Sequence, residues 1–142
     1  MKNFNYIEKP KLPQRLIDQV FLSLDNPNIF KFQKYDAYQI FDATEELKNF
    51  THSIFPFPHT TRVQRITKDL IIHKDFGRSM VFNFIVSTGG KNVETCFYNE
   101  KNILIEKHKI EQQRWHFLNV LTPHNVINIE LARVALTIHV ST

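Results

Sequence analysis

Residues 115–140 read WHFLNVLTPHNVINIELARVALTIHV, three apolar runs separated by Leu121-Thr122-Pro123 and by Asn128-Ile129-Glu130. Aromatic and β-branched residues fill the runs and turn-forming residues punctuate them, the texture of short strands. In the last run Arg133, Ala135 and Thr137 alternate with Val134, Leu136 and Ile138, as expected where successive side chains point to opposite faces of a pleated strand. The expected strands here are 115–119, 124–129 and 131–140. Moving toward the N-terminus the same texture returns at 61–66, 70–75, 80–87, 93–98 and 103–107, with Gly89-Gly90 as a hairpin signal between two of them. Strands this short, at roughly ten-residue spacing, predict a small jelly roll or barrel.

The first third of the chain has a different rhythm. Leu16, Ile17, Val20, Phe21 and Leu24 recur at helical spacing behind Pro13 and stop at Asp25-Asn26-Pro27, which predicts a helix over 14–24. Thr44 is suited to cap a second helix over 45–50, and Phe55-Pro56-Phe57-Pro58 reads as a loop because two close prolines disfavour both ladder and helix. The fold expected from this pattern is mainly β, a small jelly roll or barrel with one or two N-terminal helices. It is read as a single domain over 1–142, with 1–60 as helical support and 61–140 as the jelly-roll core.

Composition narrows the classes. The 142 residues carry a net charge of +4 with no long basic run, so a nucleic-acid partner is unsupported. Thirteen Phe against three Gly favour a packed aromatic core over disorder. Cys96 is the lone cysteine, which excludes an internal disulfide and cysteine-based zinc or cluster sites and fits a reducing compartment. No signal-like or bilayer-length apolar run is present, so a cytoplasmic protein without membrane association is expected.

The chemistry is carried by Ile71-Ile72-His73-Lys74-Asp75-Phe76. Two residues apart on a strand, His73 and Asp75 share a face, and an imidazole and a carboxylate so placed can take adjacent positions on a metal. One further histidine completes a set of two His and one carboxylate, the facial arrangement of non-haem Fe(II) oxygenases. An ordinary polar pair at a strand end has the same spelling. His124 opens an apolar strand after Pro123, and Arg133 follows nine positions later on the last strand. A guanidinium beside small residues on so apolar a strand needs a partner, because it cannot shed its charge. An exchangeable carboxylate held through a fork of hydrogen bonds would serve; so would a salt bridge to a protein acid, or simple exposure.

The order His73-x-Asp75, His124, Arg133 on short strands resembles the Fe(II)- and 2-oxoglutarate-dependent oxygenases. More narrowly it resembles the aspartyl/asparaginyl β-hydroxylase branch and its small bacterial and phage relatives. The likeness spans residues 61–140, through TRVQRITKDLIIHKD, PHNVIN and RVALTIHV; the N-terminal third has no counterpart. It implies a double-stranded β-helix in which His73, Asp75 and His124 bind Fe(II) and Arg133 binds the distal carboxylate of 2-oxoglutarate. It also implies hydroxylation of a C–H bond of a peptide side chain or small metabolite, with release of succinate and CO2. Arg78 stands where the β-hydroxylase branch has an arginine near the co-substrate, followed here by the less similar Ser79-Met80-Val81. A glycine common before the His-x-Asp strand is replaced by Thr67-Lys68-Asp69. Asn83 and Asn128 are the candidates to orient the imidazoles.

The remaining histidines have simpler expectations: His52 and His59 flank the Phe-Pro loop, His116 faces solvent beside Trp115, and His139 lies near the chain end. Phe82, Phe84, Phe97, Tyr98, Trp115 and Phe117 read as core, and Cys96 as buried and inert. Two rival classes share the fold. A cupin-like metal protein would account for His124-x-x-x-Asn128 after a proline, although the first cupin motif is missing. A non-enzymatic jelly roll would make the polar residues structural.

Overall fold

The computed structural model describes residues 2–26, 29–31 and 37–141, with the backbone alone at 29–31, 78, 79 and 141. Two antiparallel sheets face each other. The chain runs β1 (Phe4–Tyr6), α1 (Gln14–Ser23), β2 (Ile29–Lys31), β3 (Tyr38–Asp42), α2 (Glu45–Ile54), β4 (Thr60–Ile66), β5 (Arg78–Ser87), β6 (Glu94–Tyr98), β7 (Leu104–His108), β8 (Trp115–Leu118), β9 (His124–Ile127) and β10 (Arg133–Ser141). The large sheet has the order β1-β8-β5-β10-β4-β3-β2 and the small one β7-β6-β9. This is the jelly-roll architecture expected, with both helices present. The first sixty residues also supply three strands to the large sheet.

The alternation in β10 explains the layering. Val134, Leu136 and Ile138 point outward into an apolar cluster with Leu16, Ile17 and Val20 of α1, Leu47 of α2, and Phe84 and Trp115 of the neighbouring strands. Each such side chain contributes about 1.5–3 kcal/mol when fully buried. The opposite parity of β10, with Asn83 and Ile85 of β5 and Gln64 of β4, faces the space between the sheets. The helices form because their apolar residues recur on one stripe. Thr44 takes the N-cap of α2, its hydroxyl accepting from Leu47 N–H, while Glu45 and Glu46 stand in the first turn, where acidic groups favour the helix dipole.

Two expectations need correction. The segment 70–75 is not a ladder strand; it carries one isolated bridge, His73 to His124. It still runs beside β9, through Leu70 N–H to Val126 O at 2.9 Å and Asp75 N–H to Val120 O at 3.0 Å. Gly89-Gly90 does not close a hairpin, because β5 and β6 belong to different sheets. Instead the turn carries the chain from one sheet to the other. Gly89 has φ +86°, and a Cβ there would stand 2.7 Å from Leu131 O and 3.0 Å from Arg133 N. Its carbonyl accepts from both Glu130 and Leu131 N–H, so the turn is stitched to the start of β10. Gly89→Ala should therefore cost about 1–3 kcal/mol of stability; a denaturation midpoint equal to wild type would contradict this reading.

Candidate metal centre

His73, Asp75 and His124 converge. Their ligand atoms all lie within 4.8 Å of one another, and they are the one such group among the described residues. His124 opens β9, and its backbone exchanges two hydrogen bonds with His73, at 3.0 and 2.9 Å. That pairing brings the imidazole centroids to 4.4 Å.

The hydrogen bonds fix the ring chemistry. His73 Nδ1 lies 2.7 Å from Ile71 O, and His124 Nδ1 lies 2.7 Å from Thr122 O. A carbonyl can only accept, so each Nδ1 carries a proton, and Nε2 is the nitrogen through which either ring would ligate a metal. Both Nε2 atoms face the same carboxylate oxygen, Asp75 Oδ1, at 3.5 Å. Three potential donor atoms thus converge on one point, where a metal cation could be held. Ligand bonds of about 2.1 Å put adjacent donor atoms roughly 3 Å apart, close to the 3.5 Å between each Nε2 and Asp75 Oδ1. The donor set fits non-haem iron. The groups orienting the imidazoles are backbone carbonyls, not Asn83 or Asn128: Asn128 bonds Asn92 O from a left-handed φ of +66°, a turn role.

The triad opens on a cavity of about 820 Å³ between the sheets, within the size range of small-molecule sites. Arg133 and Asn83 line it, as do His116 and His139. Arg133 is 3% exposed and makes no ion pair with a carboxylate among the described residues. Its Nε donates to Thr88 O at 3.0 Å and its Nη1 to Thr95 Oγ1 at 3.2 Å, while Nη2 is buried without a partner. Burial lowers its pKa to about 10, so it remains a cation at neutral pH. Thr95 sits on β6, whose Phe97 pairs with His124. One strand across and two residues along, Thr95 is roughly 8 Å from His124 between Cα atoms. Arg133 and the triad thus line one cavity. The backbone of Arg78 begins β5 opposite Ser141, and its side chain lies outside the described residues.

His116 departs from expectation. It is 1% exposed rather than solvent-facing, and lines the cavity. Burial, and then the charge of Arg133, push its pKa down to about 3. β8 is buried on both faces, so Trp115 and His116 are both interior despite opposite parity, and polarity alone gives no signal of it. His52 and His59 stack on each other at 4.1 Å away from this cavity, and burial lowers the pKa of His59. Cys96 is buried, which raises its pKa.

Comparison with known proteins gives a consistent fold. No protein-family model matches the sequence, and no curated protein is significantly similar to it. Among solved structures, a Trichoplax adhaerens prolyl hydroxylase in complex with a hypoxia-inducible-factor oxygen-degradation-domain peptide superposes with TM-score 0.70 at 14% identity, covering 96% of this chain and 82% of that one. The chain has the fold of the 2-oxoglutarate- and iron-dependent oxygenases. A Burkholderia pseudomallei 2OG-Fe(II) oxygenase-family oxidoreductase matches with TM-score 0.64 at 11% identity, over 90% of this chain and 78% of the other. An Fe(II)-containing HppE matches with TM-score 0.52 at 11% identity, over 83% and 57%.

A neutral buried His116 makes a pH prediction. Its folded pKa of about 3 lies below the usual 6.5, so between those values the unfolded chain binds the extra proton. The stability it supports is complete above about pH 6.5 and is lost as pH falls toward 3. In that window His116→Gln should flatten the slope of unfolding free energy by up to about 1.4 kcal/mol per pH unit. Parallel slopes for the two proteins in urea titrations at several pH values would refute the assignment.

Proposed function

We propose that the protein is an Fe(II)- and 2-oxoglutarate-dependent dioxygenase that hydroxylates a C–H bond of a peptide side chain or small molecule, releasing succinate and CO2. The observation that carries this reading is the pairing, in one cavity, of a two-His, one-carboxylate set with a buried arginine whose Nη2 has no partner. His73, Asp75 and His124 would hold the metal through the two Nε2 atoms and Oδ1. Arg133 would bind the distal carboxylate of the keto acid. Bound iron and keto acid together supply oxygen activation, the chemistry this chain's side chains lack.

The residues of the chain account for the rest. The Nδ1–H bonds to Ile71 O and Thr122 O hold both rings in the metal-binding tautomer before any metal arrives. Thr88 O and Thr95 Oγ1 hold the guanidinium at the wall of the cavity and leave Nη2 without a partner. A buried cation without a counter-ion is costly, and a carboxylate ligand relieves that cost. Because a neutral His116 adds no second positive charge, the wall favours one carboxylate at this end.

Exposed Ile71, Phe76 and Leu121 flank the ligand segments, Phe76 at 91% exposure. An apolar rim of this kind suits a peptide flanking the modified residue, and the peptide held by the Trichoplax enzyme is in keeping with that choice. The narrower likeness to the aspartyl/asparaginyl β-hydroxylases rests on the sequence motifs.

Anaerobic titration with Fe(II), then 2-oxoglutarate, tests the reading through the visible charge-transfer band of the keto acid chelate. Wild type should develop the band and Asp75→Ala should not. Arg133→Met should need about thirtyfold more 2-oxoglutarate or beyond, since removing one partner of a buried charged pair costs about 2–5 kcal/mol. Tight iron binding with no response to 2-oxoglutarate would instead favour a cupin-like metal protein. Absence of iron binding would leave a structural jelly roll.

A further inference from the structure

The turn between β8 and β9, residues 119–123, carries much of the candidate centre. Val120 O accepts from Asp75 N–H at 3.0 Å, and Thr122 O accepts from His124 Nδ1–H at 2.7 Å. Two of the three proposed ligands therefore take their orientation from carbonyls of one short irregular segment. A turn of this kind has few ladder bonds of its own, so something else must hold it.

That support comes from the far end of the sequence. Asn3, just before β1, receives Asn119 N–H on its backbone carbonyl at 2.8 Å. Its Oδ1 accepts the Thr122 hydroxyl at 2.7 Å and Asn119 Nδ2 at 3.4 Å. Its Nδ2 donates to Glu106 Oε1 at 2.5 Å, and the other Glu106 oxygen meets His108 Nε2 at 2.8 Å. Phe4 packs on the His108 ring at 4.4 Å. One carboxamide thus spans the turn on one side and an anchored carboxylate on β7 on the other. Its two ends are chemically distinct, acceptor toward the turn and donor toward Glu106, so it cannot rotate without losing both sets of bonds.

We infer that Asn3 is a positioning residue of the metal centre, acting through Thr122 and Asn119 to set the carbonyls that orient His124 and Asp75. The inference rests on the metal-binding reading above and gives the N-terminal segment a part in it. Groups that hydrogen-bond metal ligands directly change metal affinity by about 10–100-fold when removed. Asn3 stands one connection further out and should fall at the low end of that range.

The test titrates metal-free protein with Co(II), whose visible d–d bands report ligand geometry independently of turnover. Asn3→Ala and Thr122→Val should each weaken Co(II) binding about tenfold and alter the band pattern. Thr122→Ser, which keeps the hydroxyl, should restore both, and the double variant should lose little more than either single one, because the two act along one path. Thr122→Val is near isosteric, so circular dichroism should show it folded even if Asn3→Ala is not. Wild-type affinity and spectrum in Thr122→Val would overturn the inference, as would fully additive losses in the double variant. Failure of wild type itself to take up Co(II) would defeat the metal-binding reading, and this inference with it.

Discussion

The reciprocal backbone hydrogen bonds between His73 and His124 are the constraint on which the site depends. These residues lie 51 positions apart (124 − 73 = 51), in an irregular segment and at the head of a strand. Two amide–carbonyl bonds make them neighbours across an antiparallel bridge, which is why two imidazoles and the carboxylate of Asp75 reach one point. The segment 70–75 uses its polar backbone to cover the edge of β9, so an edge that would otherwise be open to pairing is closed by the piece of chain that carries two proposed ligands.

Much of the architecture is legible in the sequence because β10 and its neighbours separate their parities cleanly. Val134, Leu136 and Ile138 could only face an apolar layer, and the periodic Leu16, Ile17 and Val20 of α1 supply it. The N-terminal strands were less legible. Phe4–Tyr6 and Tyr38–Asp42 are short, mixed in polarity, and become strands by pairing with β8 and β4 across long sequence separations. Local propensity carries little of that information. The Gly89-Gly90 turn shows the same limit: glycines mark a sharp reversal, and tertiary pairing decides which sheet receives the strand that follows.

The site divides along a similar line. His73, Asp75, His124 and Arg133 stand out as polar groups where the surrounding pattern is apolar. The carbonyls that orient the imidazoles and the one that accepts from Arg133 Nε do not, since Thr122 O, Ile71 O and Thr88 O are backbone atoms common to every residue. His116 hides for another reason. On a strand interior on both faces, a buried histidine and an exposed one have the same alternation, and only the packed structure tells them apart.

The placement of the three proposed ligands has a mechanical consequence. Residues between Asp75 and His124 hold β5 to β8, four of the twelve elements among the described residues, and thread both sheets. A metal bound by both ends would close this stretch into a loop, removing freedom from the unfolded chain in the manner of a cross-link. Unlike a disulfide, such a clasp can be opened by dilution or chelation, because a ligand that binds only the folded state stabilises it in proportion to its supply. A metal held at the proposed centre would tie the stability of this stretch to the supply of that metal.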